Sequence, residues 1–165
     1  MFKKILLPTD GSDISNEAAL QGINFASQNR AEVVALFVAP EYQYPVSIGI
    51  IPPTYPTEEE YEDSMKKIGL DYLQPIRDAA EQAGLAYSGE ILFANATGPK
   101  IASFAQSSGC DLIFMASHGR TGLSHLLLGS VASKVLSTCT VPVLVYRRKN
   151  APKPNAESSA EIGGL

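Results

Sequence analysis

The sequence predicts a single-domain α/β protein built on an open, doubly wound sheet of five parallel strands with helices on both faces. Three observations predict it. Five short apolar runs recur along the 165 residues: Ile5-Leu6-Leu7, Val33 to Val38, Ile91-Leu92-Phe93, Leu112 to Ala116, and Val141 to Tyr146. Four of these runs are nearly continuous rather than alternating, the pattern of strands covered on both faces. Segments with helical spacing lie between consecutive runs, and strict alternation of strand and helix means parallel pairing through right-handed crossovers.

The elements follow in order. The first strand ends at Pro8, and a helix is expected over about 14–29 with Ala18, Gly22, Phe25 and Ala26 inward. After the second strand, residues 39–56 are rich in Pro and Tyr and read as a long loop or lid. The clearest helix spans 58–83, where Tyr61, Met65, Ile68, Tyr72, Ile76, Ala80 and Ala83 recur every three or four residues and form one apolar stripe. Thr57 and Glu60 make a capping box at its start and Gly84 is placed to end it. Pro75 inside the pattern predicts a kink or break. Residues 86–93 alternate, as an edge strand does. A third helix is expected from near Pro99 to near Gly109, with Ile101, Phe104 and Ala105 on one side, and a fourth after Ser130, with Val131, Val135 and Leu136. Pro142 suits the start of an edge strand in the last run. The domain is expected over 1–147. The tail 148–165 lacks any periodic apolar pattern and is expected to be disordered.

Composition removes several functions. Hydrophobic residues make up 45% of the chain and charged residues 18%, with a net charge of -4. That balance supports a real core and offers no basic face for nucleic acid. Two cysteines, Cys110 and Cys139, and two His, with no Cys-x-x-Cys pair, argue against zinc. Both cysteines read as small buried residues. No apolar run approaches the roughly 18 residues of a membrane span, so no membrane insertion is expected. The run after Lys3-Lys4 is broken at Pro8 and Asp10, too soon for a secretory signal, and a cytoplasmic location is expected.

In open α/β sheets, ligands bind beyond the carboxyl ends of the strands, where the strand order reverses. After the first strand stands Pro8-Thr9-Asp10-Gly11-Ser12. Asp10 can accept hydrogen bonds from a base amine or a ribose hydroxyl, although Asp10 or Ser12 capping the next helix explains the same residues equally well. After the fourth strand come Met115-Ala116-Ser117-His118-Gly119-Arg120-Thr121-Gly122, then Gly129-Ser130 before the last helix. Glycines admit a phosphate close to the backbone, and a helix N-terminus offers free N–H groups and partial positive charge. Arg120 can pair with phosphate oxygens, and Ser130 can cap the helix or donate to a phosphate. A glycine-rich loop that simply turns has the same composition. His118 suits either a structural hydrogen bond or a base beside phosphates. The chain contains no Walker loop and no G-x-G-x-x-G after the first strand.

These segments, with Leu126-Leu127-Leu128-Gly129-Ser130-Val131-Ala132 and Val141-Pro142-Val143-Leu144-Val145, resemble the universal stress protein family over about residues 1–147. ATP-binding members share the motif G-x-x-G-x9-G-[ST], which falls here on Ala116, Gly119, Gly129 and Ser130, so that alanine replaces the first glycine. The resemblance implies a strand order 3-2-1-4-5. It places Asp10 at the adenine or ribose, Val38 at the adenine through its backbone, and Gly119, Gly129, Ser130 and Val131 around the phosphates. Pro8, Thr9, Met115, Ala116, His118 and Arg120 complete the implied site. It further implies ATP with Mg²⁺ as ligand, a role as a stress-response signalling module, and a homodimer joined through strand 141–146. The alternatives are a dimeric scaffold or transporter regulator without nucleotide, and a slow ATPase.

Overall fold

The computed structural model describes residues 1–44, 55–119 and 128–148. Its elements are β1 (Lys4–Pro8), α1 (Asp13–Asn29), β2 (Glu32–Ala39), α2 (Glu58–Gln82), β3 (Tyr87–Phe93), α3 (Thr97–Ser107), β4 (Leu112–Ala116), α4 (Ser130–Thr138) and β5 (Val143–Tyr146). All strand pairings are parallel and the sheet order is β3-β2-β1-β4-β5. Chain order therefore runs outward from β1 to β3, crosses back, and runs outward again from β4 to β5. The reversal lies between β1 and β4, paired through Ile5↔Leu112 and Leu6↔Ile113.

The period-two geometry of a strand divides each central strand between two cores. Ile5, Leu7, Val33, Ala35 and Phe37 pack with Ala19, Ile23, Leu73, Ile76 and Ala80 of α1 and α2 on one face. Leu6, Val34, Leu36 and Val38 pack with Ile101, Ala105, Ala132 and Val135 of α3 and α4 on the other. This is why β1, β2 and β4 are nearly continuous apolar runs: both of their faces are covered. The edge strands β3 and β5 are only partly buried.

Local chemistry sets the helix ends. Ser12 caps α1 by accepting from the Ser15 amide, and Thr57 and Glu60 form the expected reciprocal capping box on α2. Three helices close with paired backbone hydrogen bonds, donated by the two residues beyond the cap at α2 and α3 and by Arg30, the cap itself, with Ala31 at α1. At α2, Leu85 N donates to Ala80 O (2.9 Å) and Gly84 N to Glu81 O (3.0 Å). Gly109 does the same after α3, while Arg30 occupies the left-handed position after α1 with φ 54°.

The structure departs from the sequence expectation in several places. The helix over 58–82 runs unbroken through Pro75. Its apolar face also includes Leu73, whereas Ala83 is the exposed C-cap. Helix α3 starts at Thr97, so Pro99 is its third residue, where the missing N–H has no helical acceptor to lose. Strand β5 starts at Val143 rather than Val141. Leu136 of α4 is 43% exposed, because Ala132 and Val135 carry the buried stripe. Cys110 is buried as expected, but Cys139, at the C-cap of α4, is only half-buried. The expectation for the tail falls, from 149 onward, outside the described residues, as does most of the expected lid at 45–54. No helix among the described residues is long and apolar enough to cross a membrane.

Candidate functional site

The reversal of strand order opens a cleft at the carboxyl ends of β1, β2 and β4. It encloses a cavity of about 390 Å³, within the range of small-molecule sites. Its walls come from separate elements that the topology brings together.

Pro8, Thr9 and Asp10 enter from the end of β1. Here the two readings of this segment separate. Ser12 is the helix cap, and Asp10 is not. Ser12 instead holds Asp10 in place: its backbone N–H and its hydroxyl both donate to Asp10 Oδ1, at 3.0 and 2.6 Å. The Thr9 hydroxyl is fixed by the Gly11 amide (3.1 Å) and by Ser15 Oγ (3.0 Å). The other Asp10 oxygen, Oδ2, faces Gly119 so closely that a Cβ built there would lie 2.5 Å from it. A side chain at 119 would therefore have to displace the anchored carboxylate.

Leu36 and Val38 form the wall from β2. From β4 come Met115 and Ala116, and after it His118 and Gly119. Ala116 is the last residue of a regular strand, and Arg30 is the only non-glycine residue with positive φ among those described. A side chain at 116 therefore costs no backbone strain. Ser117 is almost fully buried, and its hydroxyl lies 3.0 Å from His118 Nδ1.

Gly129, Ser130, Val131 and Ala132 close the cleft from the start of α4. Gly129 is the N-cap, Ser130 is the first helical residue, and among the described residues no side-chain cap hydrogen bond is made to the helix. Its first-turn amides therefore present positive potential to the cleft. Gly129 N donates to Ser117 O at 2.7 Å, and a Cβ at 129 would lie 3.2 Å from that oxygen and from His118 Cα. The chain thus returns to within one hydrogen bond of the point where it left β4.

Every expected site residue except Arg120 lines this cavity; Arg120 lies outside the described residues. Five lining residues were not anticipated: Ser15, Leu36, Thr97, Ile101 and Ala132. Leu36 was recoverable, since it shares a strand face with Val38. Thr97 follows the end of β3, and Ile101 lies one helical turn beyond it. Ser15 and Ala132 carry no signal in the sequence beyond helix-compatible small side chains.

Beside the cleft, β5 is fastened to α1. Tyr146, paired in register with Ala116, donates its hydroxyl to Glu17 Oε1 (2.8 Å), and Arg148 Nε donates to Oε2 (2.5 Å). The tyrosine hydrogen bond first, and then the arginine, hold the Glu17 carboxyl below its ordinary value. Among the described residues no group of three or more His, Cys, Asp or Glu is arranged to hold a metal ion.

The universal stress protein family model matches residues 1–147. Universal stress protein MJ0531 of Methanocaldococcus jannaschii is 36% identical over 148 residues, covering 90% of this chain and 84% of that protein. The solved structure of MJ0577 superimposes with a TM-score of 0.75 at 30% identity, covering 92% of this chain and 99% of that one. A universal stress protein in complex with cAMP superimposes with a TM-score of 0.62 at 19% identity, covering 88% and 96%. At that distance the likeness speaks for the fold. The same holds for an AMP-bound member from Arabidopsis thaliana at 15% identity and a dAMP complex from Archaeoglobus fulgidus at 17%.

Proposed function

The chain belongs to the universal stress protein family, and on that premise we propose that it binds ATP with Mg²⁺ in the β1–β4 cleft and serves as a stress-response signalling module. The observation that carries this reading is the pairing, in one cavity, of an apolar wall with the uncapped N-terminus of α4. An adenine nucleotide has the same two halves. Leu36, Val38, Ile101 and Met115 offer a surface for a flat base, and the backbone of Val38 offers it hydrogen bonds. Asp10, locked by Ser12, accepts from an amine or a ribose hydroxyl. Gly129, Ser130 and Val131 present N–H groups and a hydroxyl to phosphates. Relatives in complex with cAMP, AMP and dAMP support the adenine half of the proposal.

The donor set fits a metal that arrives with the nucleotide. Asp10 is the one carboxylate among the described lining residues, and Ser12 already engages one of its oxygens. Mg²⁺ would therefore be held chiefly by phosphate oxygens, neutralising their charge. Ala116 keeps ordinary strand geometry, and its single methyl narrows the floor of the cleft without closing it.

We place the protein in the cytoplasm and propose a homodimer through strand 141–146. Val145 lies on the open edge strand outside both core clusters. Val145→Glu is expected to convert dimer to monomer in light scattering coupled to size exclusion. A wild-type protein that is monomeric at all concentrations refutes the dimer.

Calorimetric titration with ATP and Mg²⁺, repeated with AMP and GTP, tests the central proposal. Micromolar affinity with preference for adenine supports it. No heat and no thermal stabilisation at millimolar ATP overturns it in favour of a scaffold without nucleotide.

A further inference from the structure

A second cavity, of about 330 Å³, shares no described lining residue with the cleft and lies where β2 gives way to the connection leading into α2. Its walls include Pro40, Glu41, Tyr42, Tyr55, Pro56 and Tyr61. Tyr42 is the hub of an aromatic cluster. Its ring centroid lies 4.9 Å from Tyr44, 5.6 Å from Tyr61 and 6.2 Å from Tyr55, all at steep interplanar angles.

The rings are held by their own hydroxyls. Tyr42 donates to Pro56 O (2.7 Å), Tyr55 to Gln43 O (3.2 Å) and Tyr61 to Pro40 O (3.0 Å). These bonds tie the two legs of the connection to each other and to α2. They also use up the protons of these three hydroxyls, leaving ring faces, acceptor oxygens and the Gln43 side chain in the described wall. Glu41 is fixed as well: Asn95 Nδ2 donates to its Oε2 (2.8 Å), and its backbone N–H donates to Asn95 Oδ1 (3.2 Å). Glu58 and Glu60 stand within electrostatic reach of Tyr42. Among the described lining residues there is no Lys, Arg or His.

A fixed aromatic wall with a carboxylate in it and no opposing positive charge favours a cation whose charge is diffuse. We propose that this pocket binds a small quaternary ammonium cation of the choline type. Such a head group has no N–H to satisfy, loses little hydration on entry, and gains from both the ring faces and Glu41.

The test uses the full chain, which contains no Trp and seven Tyr, four of them in this cluster, so tyrosine fluorescence follows the titration and calorimetry assigns it. Choline is titrated beside 3,3-dimethylbutanol, its neutral isostere, with calorimetry in parallel. Choline is expected to saturate, with the isostere roughly tenfold weaker. Tyr55→Leu and Glu41→Gln are each expected to weaken choline about three- to thirtyfold, whereas Tyr55→Phe, which keeps the ring, restores binding. Equal binding of the two probes overturns the proposal, as does failure of choline to saturate at tens of millimolar. Because wild-type protein alone decides the comparison of choline with its isostere, loss of folding in a variant does not shield the idea.

Discussion

Gly119→Ala is the sharpest probe of the cleft. A Cβ at 119 would stand 2.5 Å from Asp10 Oδ2, well inside contact distance, so one of the two must move. The obstacle is the end of a side chain, which by itself would swing aside at little cost. This one is anchored. Displacing the carboxylate stretches or breaks the bonds that Asp10 Oδ1 receives from the Ser12 N–H and hydroxyl, and hydrogen bonds to a charged group contribute about 1.5–3 kcal/mol each. Overpacking elsewhere costs about 1–3 kcal/mol. Since partial movement shares the strain, a loss of about 1–2 kcal/mol in folding stability is expected. Nucleotide affinity should fall about tenfold or more, because the misplaced group is the one proposed to accept from the ribose or base. Urea unfolding measures the first and calorimetry the second. Ser12→Ala supplies the internal control: it removes the hydroxyl bond to Asp10 Oδ1 and leaves the backbone one, so Gly119→Ala should cost less in that background, with a coupling of about 1 kcal/mol. If the added methyl costs the same in both backgrounds, or costs nothing in either, the anchored-carboxylate argument is wrong.

Other expectations follow from features outside the cleft. Glu17 has its carboxyl lowered by Tyr146 and Arg148, so its contribution to stability is present above the ordinary value of 4.5 and is lost as pH falls through the lower folded value. Glu17→Gln should therefore be less stable than wild type at neutral pH, and the gap should close in acid; a gap that widens below pH 4.5 refutes the assignment. Burial raises the Cys110 thiol above its ordinary value of 9.0, against the smaller pull of the Ser108 hydroxyl. Alkylation near neutral pH should modify half-buried Cys139 first and reach Cys110 only on unfolding, and mass spectrometry of the labelled peptides decides it. Arg30 occupies a left-handed cap with its side chain exposed. Arg30→Gly should stabilise the fold by about 0.5–1 kcal/mol in thermal melts, the strain relieved exceeding the entropy that glycine loses; destabilisation would show that the Arg30 side chain contributes more than its backbone costs.

The fold was legible because its physics is repetitive. A strand buried on both faces has no polar phase, and β1, β2 and β4 read as unbroken apolar runs for that reason. The alternation in 86–93 marked β3 as an edge, and the capping box and Gly84 fixed α2 at both ends. Helix faces were less legible. Leu136 reads as core by spacing yet is exposed, because α4 is short and turns Ala132 and Val135 inward instead. In the cleft, residues next to strand ends were readable from topology, whereas Ile101 and Ser15 reach it from inside helices whose rotation only the packed structure sets. The fastening of Glu17 to Tyr146 and Arg148 spans most of the chain and leaves no local trace. It joins the first helix to the last strand.

The hydrogen bond from Gly129 to Ser117 has a consequence for how this molecule can vary. It makes the excursion after β4 a closed circuit that leaves and re-enters the scaffold at one point. The entropy of closing such a circuit grows only slowly with its length. The strand before and the helix after are therefore joined at the rim of the cleft by a main-chain bond that side-chain substitutions leave intact, whereas Gly119 and Gly129 cannot themselves gain a Cβ without crowding Asp10 or Ser117.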